Sequence, residues 1–408
     1  MPIVGHDVRH YYLGLLALGC TLLGFSTEPG ATAGVQAFGL PFFALACLLA
    51  TPVIFLCCNR AVQPAVAVFL QLLFGVVAWM CITSLVAPYP WVSLSRALIN
   101  VMGLVTVLGF VYFATARRGP CVSWRIPACL CVVATTVIAT YFLFNLLQKS
   151  LTHGFEVVIL ERFVGGLMSL PWGASNNIAS VLLVGLGLAL LLRRTISPDW
   201  LYLLLVVHLA AILITFSRNG LACALLMLLL GLRNRERLAA LLGAGALLGL
   251  LMGGDNSWAE LQGIDELLEN RATGGGDISN ARVDIWIDRL GVVAENPLRF
   301  TGYYSTIFVY DMSAHNFALN TMLEQGLPGL LLALGLLLGL YTLTWRSEDA
   351  STQTHMTFRR LWLVMTLNMA VEDPNFTQPF ILVFWLTVAS QVLLRIGHDE
   401  HKHAAARA

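Results

Sequence analysis

Residues 201–220 read LYLLLVVHLAAILITFSRNG, an apolar run that ends in one arginine, Arg218. A helix needs roughly 20 apolar residues to cross the hydrocarbon core of a bilayer, so this run predicts a membrane span. An arginine at the end of a span can extend its head group to lipid phosphates. It can also hold a phosphate group of a ligand bidentately. The stretch alone leaves both roles open for Arg218.

The whole chain has the composition of this stretch. Its 408 residues are 58% hydrophobic and 12% charged, with a net charge of +1 and a mean hydropathy of +0.76. Soluble globular chains contain about 45–50% apolar and about 25% charged residues. The composition excludes a soluble enzyme and a disordered chain, and the net charge excludes a nucleic-acid binder. It predicts an all-α polytopic membrane protein.

Apolar runs predict about twelve transmembrane helices, which would place both termini on the same side of the membrane. The predicted spans lie at about 11–26, 36–57, 65–87, 97–116, 127–147, 174–192, 200–217, 219–232, 238–253, 314–345, 357–371 and 377–394. The tenth span is expected to break near Gly326 and Pro328, because proline lacks a backbone donor. For the first span a cleaved signal peptide is the alternative, since Ala31-Thr32-Ala33 has the pattern of a cleavage site.

Charge distribution predicts the orientation. With both termini in the cytoplasm, most of the 24 Lys and Arg residues lie on the inner side, as the positive-inside rule requires. The predicted organisation follows in chain order. Residues 1–253 hold spans one to nine, with a shorter outer loop near 148–173. Residues 254–313 form a long outer loop between spans nine and ten. Residues 314–395 hold the last three spans, and residues 396–408 are a cytoplasmic tail.

The long outer loop is expected to contain two helices separated by a glycine-rich hinge. The first runs from Trp258 to about Arg271, the hinge is residues 273–277, and the second runs from Ala281 to about Glu295. In the second helix Arg282 and Arg289 stand beside an apolar stripe. Such a helix lies in the outer membrane interface, or it forms a surface cap with solvated arginines. The pattern leaves both interpretations open.

His315 is one of two histidines that the predicted topology allows on the outer side, the other being His153. An imidazole at the membrane interface is suited to act as a general base near neutral pH. The structural alternative is a histidine at the start of a helix with its hydrogen bonds satisfied by neighbours. No His-Glu-x-x-His motif is present, so the sequence favours a mechanism without a metal or other cofactor.

Several short motifs together resemble the O-antigen ligase and polymerase superfamily. These are TFSRNG at 215–220, ARVDIW at 281–286 followed by NPL at 296–298 and Gly302, and AHNF at 314–317 followed by EQGLPG at 324–329. Upstream, Arg162, Gly165 and the pair Asn176-Asn177 resemble a weaker element of the family. One difference is the run LRFTGYY at 298–304, where the family usually has G-x-G.

The resemblance implies a transferase that moves a glycan from undecaprenyl diphosphate to an acceptor at the periplasmic face of the bacterial inner membrane. It implies that Arg218 and Arg282 bind the diphosphate and that His315 activates the acceptor hydroxyl. Further substrate contacts are expected from other residues of the outer segments. These are Arg289, Arg162, Asn316, Ser217 and Trp286.

The expected function is an O-antigen ligase with the lipid A core oligosaccharide as acceptor, embedded among membrane lipids and without a nucleic-acid partner. A polysaccharide polymerase with the same donor is the alternative. A protein O-oligosaccharyltransferase usually has a larger outer domain than this chain allows. A twelve-span transporter would have its longest loop in the cytoplasm and polar residues at the membrane midplane, neither of which is predicted here.

Overall fold

A computed structural model of the chain describes residues 36–37, 40–41, 64–97, 125–154, 175–215, 217–252, 282–311, 313–345 and 353–371. The only strands among them are β1 (Gln36–Ala37) and β2 (Leu40–Pro41), which pair antiparallel. The prediction that the second span starts at residue 36 is therefore wrong. Pro41 has no N–H to donate within a helix, and it disfavours helical geometry at the residue before it.

All other regular structure in the described ranges is helical, as the sequence predicts. The labelled helices are α1 (Pro64–Leu85), α2 (Arg125–His153), α3 (Ser175–Leu191), α4 (Pro198–Ile214), α5 (Arg218–Gly231), α6 (Asn234–Met252), α7 (Arg282–Glu295), α8 (Thr306–Tyr310), α9 (Phe317–Trp345) and α10 (Gln353–Val371). Residues 90–97 are also helical and end where the predicted fourth span begins. Several predicted segments lie outside the described residues. They are the spans at 11–26 and 377–394, the second span beyond residue 41, the fourth span beyond residue 97, the helix at 258–271 and the hinge at 273–277.

Two helical segments in the described ranges are long and apolar enough to cross a membrane. They are Cys131–His153 in α2 and Phe317–Gly339 in α9. Helices α3, α4 and α5 and the second half of α1 contain shorter apolar segments. This architecture agrees with an α-helical membrane protein.

Helix α3 forms the centre of the bundle and packs against α2, α4, α5 and α10. A helix that is apolar on all sides belongs in the interior, and Ile178, Leu182 and Leu186 of α3 are completely buried. Gly185 provides space on the same helix for the buried His208 of α4, because a Cβ atom there would lie 2.5 Å from its Nε2 atom. The close contact of α3 with its neighbours therefore depends on this glycine.

The break in α9 occurs where the sequence predicts it. Gly326 has φ 68° and ψ −179°, outside the helical region, and Pro328 follows two residues later. Pro328 has no N–H for the carbonyl of Glu324, and the N–H of Gly302 donates to that carbonyl instead, at 2.8 Å. The N–H of Leu327 donates to the carbonyl of Pro297, at 2.9 Å. The segment 297–302 thus satisfies the backbone groups that the break leaves open.

Helix α7 has three distinct sectors. Trp286 and Val293 pack on the protein, in a cluster with Leu319 and Leu323 of α9. A second sector is apolar and exposed, formed by Val283, Ile287 and Leu290. The third is acidic and exposed, formed by Asp284, Asp288 and Glu295. The predicted amphipathic helix is confirmed, and the packing of Trp286 fixes which side of it faces the protein.

Candidate active site

Arg218 is the first residue of α5, and the residues before it shape the start of that helix. Ser217 is the N-cap, and its hydroxyl accepts a hydrogen bond from the N–H of Gly220 at 3.1 Å. The N–H of Ser217 in turn donates to the hydroxyl of Thr215, at 3.3 Å. Ser217 is buried, whereas Arg218 is exposed. The motif therefore builds a capped helix start that presents the Arg218 side chain outward, where the positive end of the helix also favours anions.

Gly220 allows α5 to approach α3 closely. A Cβ atom at this position would lie 2.6 Å from the Cβ atom of Ala179. Real Cβ atoms do not approach each other this closely, so a larger residue would push the helix start away from the bundle. The glycine of the motif thus sets the position of the Arg218 backbone relative to the core.

The three motifs predicted to act together meet at the last turn of α10. Arg282 donates from Nη1 to the carbonyl of Val371 at 2.9 Å, and Asn316 donates from Nδ2 to the carbonyl of Ala370 at 2.8 Å. Asn219 donates from Nδ2 to Oδ1 of Asn368, also at 2.8 Å. The last carbonyls of a helix have no partner within the helix. Here Arg282 and Asn316, from two of the motifs, donate hydrogen bonds to these carbonyls. Asn219, from the third motif, binds the Asn368 side chain.

His315 lies in a turn that several side chains hold in place. The N–H of Ala314 donates to Oδ1 of Asn320 at 2.9 Å, and Nδ2 of Asn320 donates to the hydroxyl of Ser313 at 2.7 Å. The indole of Trp286 donates to the carbonyl of Ala314 at 2.8 Å. His315 itself has a left-handed backbone with φ 50°, a conformation that persists only where the surroundings enforce it. The turn therefore presents the imidazole in a defined position.

The electrostatic environment of His315 favours its neutral form. Burial lowers the pKa of this imidazole, and the positive charge of Arg282 lowers it further. Both causes disfavour a second positive charge at this place. A neutral imidazole can accept a proton at neutral pH, as a general base must.

Two of the other predicted substrate contacts, Arg289 and Asn316, have protein partners in the structure. Arg289 donates from Nη2 to the carbonyl of Tyr310 at 2.9 Å, lies 4.5 Å from the Tyr310 ring centre and pairs with Asp288 at 2.6 Å. Asn316 also accepts from the N–H of Leu319, at 3.0 Å, and so caps α9. Arg289 therefore ties α7 to α8, and Asn316 ties α9 to α10. Arg162 lies outside the described residues.

Asn368 belongs to none of the sequence motifs, and the structure places its side chain against Asn219. It is 1% exposed and lies within the apolar part of α10. A buried polar residue in an apolar span is expensive and is a candidate for function by default, so the signal was present in the sequence. In the part of the chain that the structure describes, no three His, Cys, Asp and Glu side chains gather as a metal site.

The fold and this arrangement define an α-helical protein of membrane type, with two arginines and a neutral histidine in motifs that meet at one helix end. Residues 201–334 match the family model described as O-antigen ligase, a stretch that includes Arg218, Arg282 and His315. This match supports the O-antigen ligase superfamily for residues 201–334. No curated protein has significant similarity to the chain.

Proposed function

We propose that the protein is an O-antigen ligase that transfers a glycan from undecaprenyl diphosphate to the lipid A core oligosaccharide. The match of residues 201–334 to the O-antigen ligase model supports an enzyme that handles lipid-linked glycans. The observation that carries the proposal is the meeting of the Arg218, Arg282 and His315 motifs at the end of α10. A donor diphosphate and an acceptor hydroxyl have to be held side by side, and these motifs supply one group for each.

In the proposed reaction the arginines act on the leaving group. Arg218 and Arg282 bind the diphosphate, whose negative charge grows as its bond to the anomeric carbon of the glycan breaks. Positive groups placed where charge develops stabilise the transition state. The leaving diphosphate needs no proton, so the arginines suffice on this side of the reaction.

His315 acts on the acceptor. Its neutral imidazole takes the proton of the acceptor hydroxyl while the hydroxyl oxygen forms the new bond to the anomeric carbon. The products are the glycosylated lipid A core and undecaprenyl diphosphate, and the imidazolium then releases its proton to water. The same positive charge of Arg282 that lowers the pKa of His315 makes this release favourable.

The proposal includes the topology. Twelve spans with both termini in the cytoplasm would place α7 and the site on the periplasmic side of the inner membrane. The test is labelling with a maleimide that cannot cross the inner membrane. The cells have a permeabilised outer membrane and an intact inner membrane. Gly291→Cys on the exposed side of α7 should react above the wild-type background, and Arg235→Cys at the start of α6 should not. Reaction of Arg235→Cys alone would refute the orientation.

The central experiment supplies purified protein with the lipid-linked glycan and a lipid A core acceptor, in the presence of a chelator. We expect transfer of glycan to the core. No transfer, or lengthening of the lipid-linked glycan without transfer to the core, would refute the ligase assignment, and lengthening would identify a polymerase.

Variants assign the roles of the residues. His315→Ala should abolish transfer and leave donor binding largely intact, whereas Arg218→Ala should lose donor binding. Arg299→Ala is the matched control, since Arg299 is an exposed arginine of the same outer segment with no role in the proposal. Loss of donor binding in His315→Ala as severe as in Arg218→Ala would argue against the base role.

A further inference from the structure

We propose that Asn368 is a positioning residue for the donor. It holds the start of α5, and with it Arg218, in place relative to the turn of His315, the residue that acts on the acceptor. The inference rests on the proposed function and extends it to a residue that none of the sequence motifs contains. It concerns placement only, because the Asn368 side chain is buried and touches no reacting group in the proposal.

Both halves of the Asn368 amide are engaged with other helices. Its Oδ1 atom accepts from Nδ2 of Asn219 at 2.8 Å, and its Nδ2 atom donates to the hydroxyl of Ser180 at 3.0 Å. The Ser180 hydroxyl donates in turn to the carbonyl of Asn176, at 3.0 Å. The chain of hydrogen bonds therefore links α5 and α10 to α3, the most buried helix of the bundle.

Asn368 lies in the last turn of α10, where Arg282 and Asn316 also attach. Asn219 directly follows Arg218, so the amide pair fixes the backbone from which the donor-binding arginine extends. Two and three residues beyond Asn368, the carbonyls of Ala370 and Val371 accept from Asn316 and Arg282. One helical turn thus carries the attachment points of the two arginine motifs, which act on the donor, and of the His315 motif, which acts on the acceptor. Because these motifs attach to the same helical turn, the geometry of that turn sets the distance between them.

The bonds of Arg282, Asn316 and Asn219 to α10 differ in whether they involve the Asn368 side chain. Arg282 and Asn316 bind backbone carbonyls, which no substitution at position 368 removes. Asn219 binds the side chain of Asn368 at 2.8 Å and its backbone carbonyl only at 3.4 Å. Shortening the Asn368 side chain removes the 2.8 Å bond, together with the bond from Asn368 to Ser180, and leaves the bonds of Arg282 and Asn316 in place. A change at position 368 should therefore affect the donor and spare the acceptor.

The experiment compares steady-state kinetics of wild type and Asn368→Ala in the transfer assay. Loss of one buried hydrogen bond at the Arg218 backbone should raise the donor KM about tenfold, with the acceptor KM unchanged. Thr366→Val is the matched control, because it removes a hydroxyl on the same helix whose bond stays within that helix, to the carbonyl of Trp362. Its two KM values should equal those of wild type.

A double-mutant cycle with Asn219→Ala separates positioning from general stabilisation. If Asn368 acts through Asn219, the double variant should have the donor KM of either single variant, not the product of both effects. Asn219→Ala alone also tests the contact if Asn368→Ala does not fold. An unchanged donor KM, or an equal rise of both KM values, would overturn the inference. Absence of transfer by wild type would refute the proposed function instead, so the two failures are distinguishable.

Discussion

Gly302→Ala tests the contact by which the segment 297–302 closes the break in α9. Gly302 has φ +88°, and its N–H donates to the carbonyl of Glu324 that Pro328 leaves without a helical partner. A Cβ atom at this position would lie 2.9 Å from Oγ of Ser93 and nearer still to Cβ of Ala87. The substitution therefore combines an unfavourable backbone with a collision against the chain around residues 87–93.

The magnitude follows from these two terms. A left-handed backbone costs an alanine about 1–2 kcal/mol relative to glycine, and overpacking a closed contact costs about 1–3 kcal/mol. The sum of about 2–5 kcal/mol should lower the thermal midpoint of the detergent-solubilised protein by roughly 2–6 °C. Movement of the segment would also weaken the hydrogen bond to Glu324, which adds to the loss.

The assay is thermal unfolding of wild type and variant in the same detergent. Gly291→Ala is the matched control, since Gly291 lies on the exposed side of α7 and a Cβ atom there meets nothing within 4 Å. Alanine favours the helix interior by about 1 kcal/mol over glycine, so the control should unfold at the wild-type midpoint or above. A Gly302→Ala midpoint equal to that of wild type would show that the segment does not close the break as described.

Three other predictions concern the site itself. The acid limb of kcat/KM should lie below the pH at which an ordinary histidine titrates, because the proposed base His315 must be neutral and its pKa is lowered. Arg282→Gln should raise this pKa and move the limb to higher pH, and an unmoved limb would contradict the effect of that charge. Trp286→Phe should lower the thermal midpoint by roughly 1–4 °C, since it leaves the buried carbonyl of Ala314 without its donor, at a cost of about 1–3 kcal/mol. Calorimetry of wild type and variant checks this. Arg289→Lys should lower the thermal midpoint and leave the donor KM unchanged, because the guanidinium ties α7 to α8; a raised donor KM at an unchanged midpoint would assign Arg289 to the substrate.

Local features of the fold follow from the sequence. The apolar runs predict the positions of α1 to α6, α9 and α10, because exclusion of charge from a bilayer acts on each segment separately. Pro328 and Gly326 predict the break in α9, because the missing N–H and the positive φ are properties of those residues. The helix at 282–295 follows from its apolar periodicity in the same way. The start of the second span is the exception, and there Pro41 is a local signal that outweighs the apolar run.

The tertiary structure decides which side chains form hydrogen bonds with residues far away in the sequence. Arg282 finds its carbonyl 89 residues away and Asn219 finds Asn368 149 residues away, and neither pairing has a signature in the local sequence. Periodicity shows that Arg289 stands beside an apolar stripe, but only packing places it on Tyr310. Hydrophobicity and backbone preference are local, so the sequence by itself determined the class of protein, the helices and the order of the motifs. A hydrogen bond needs two groups in register, and only the packed bundle brings the three motifs to one turn of α10.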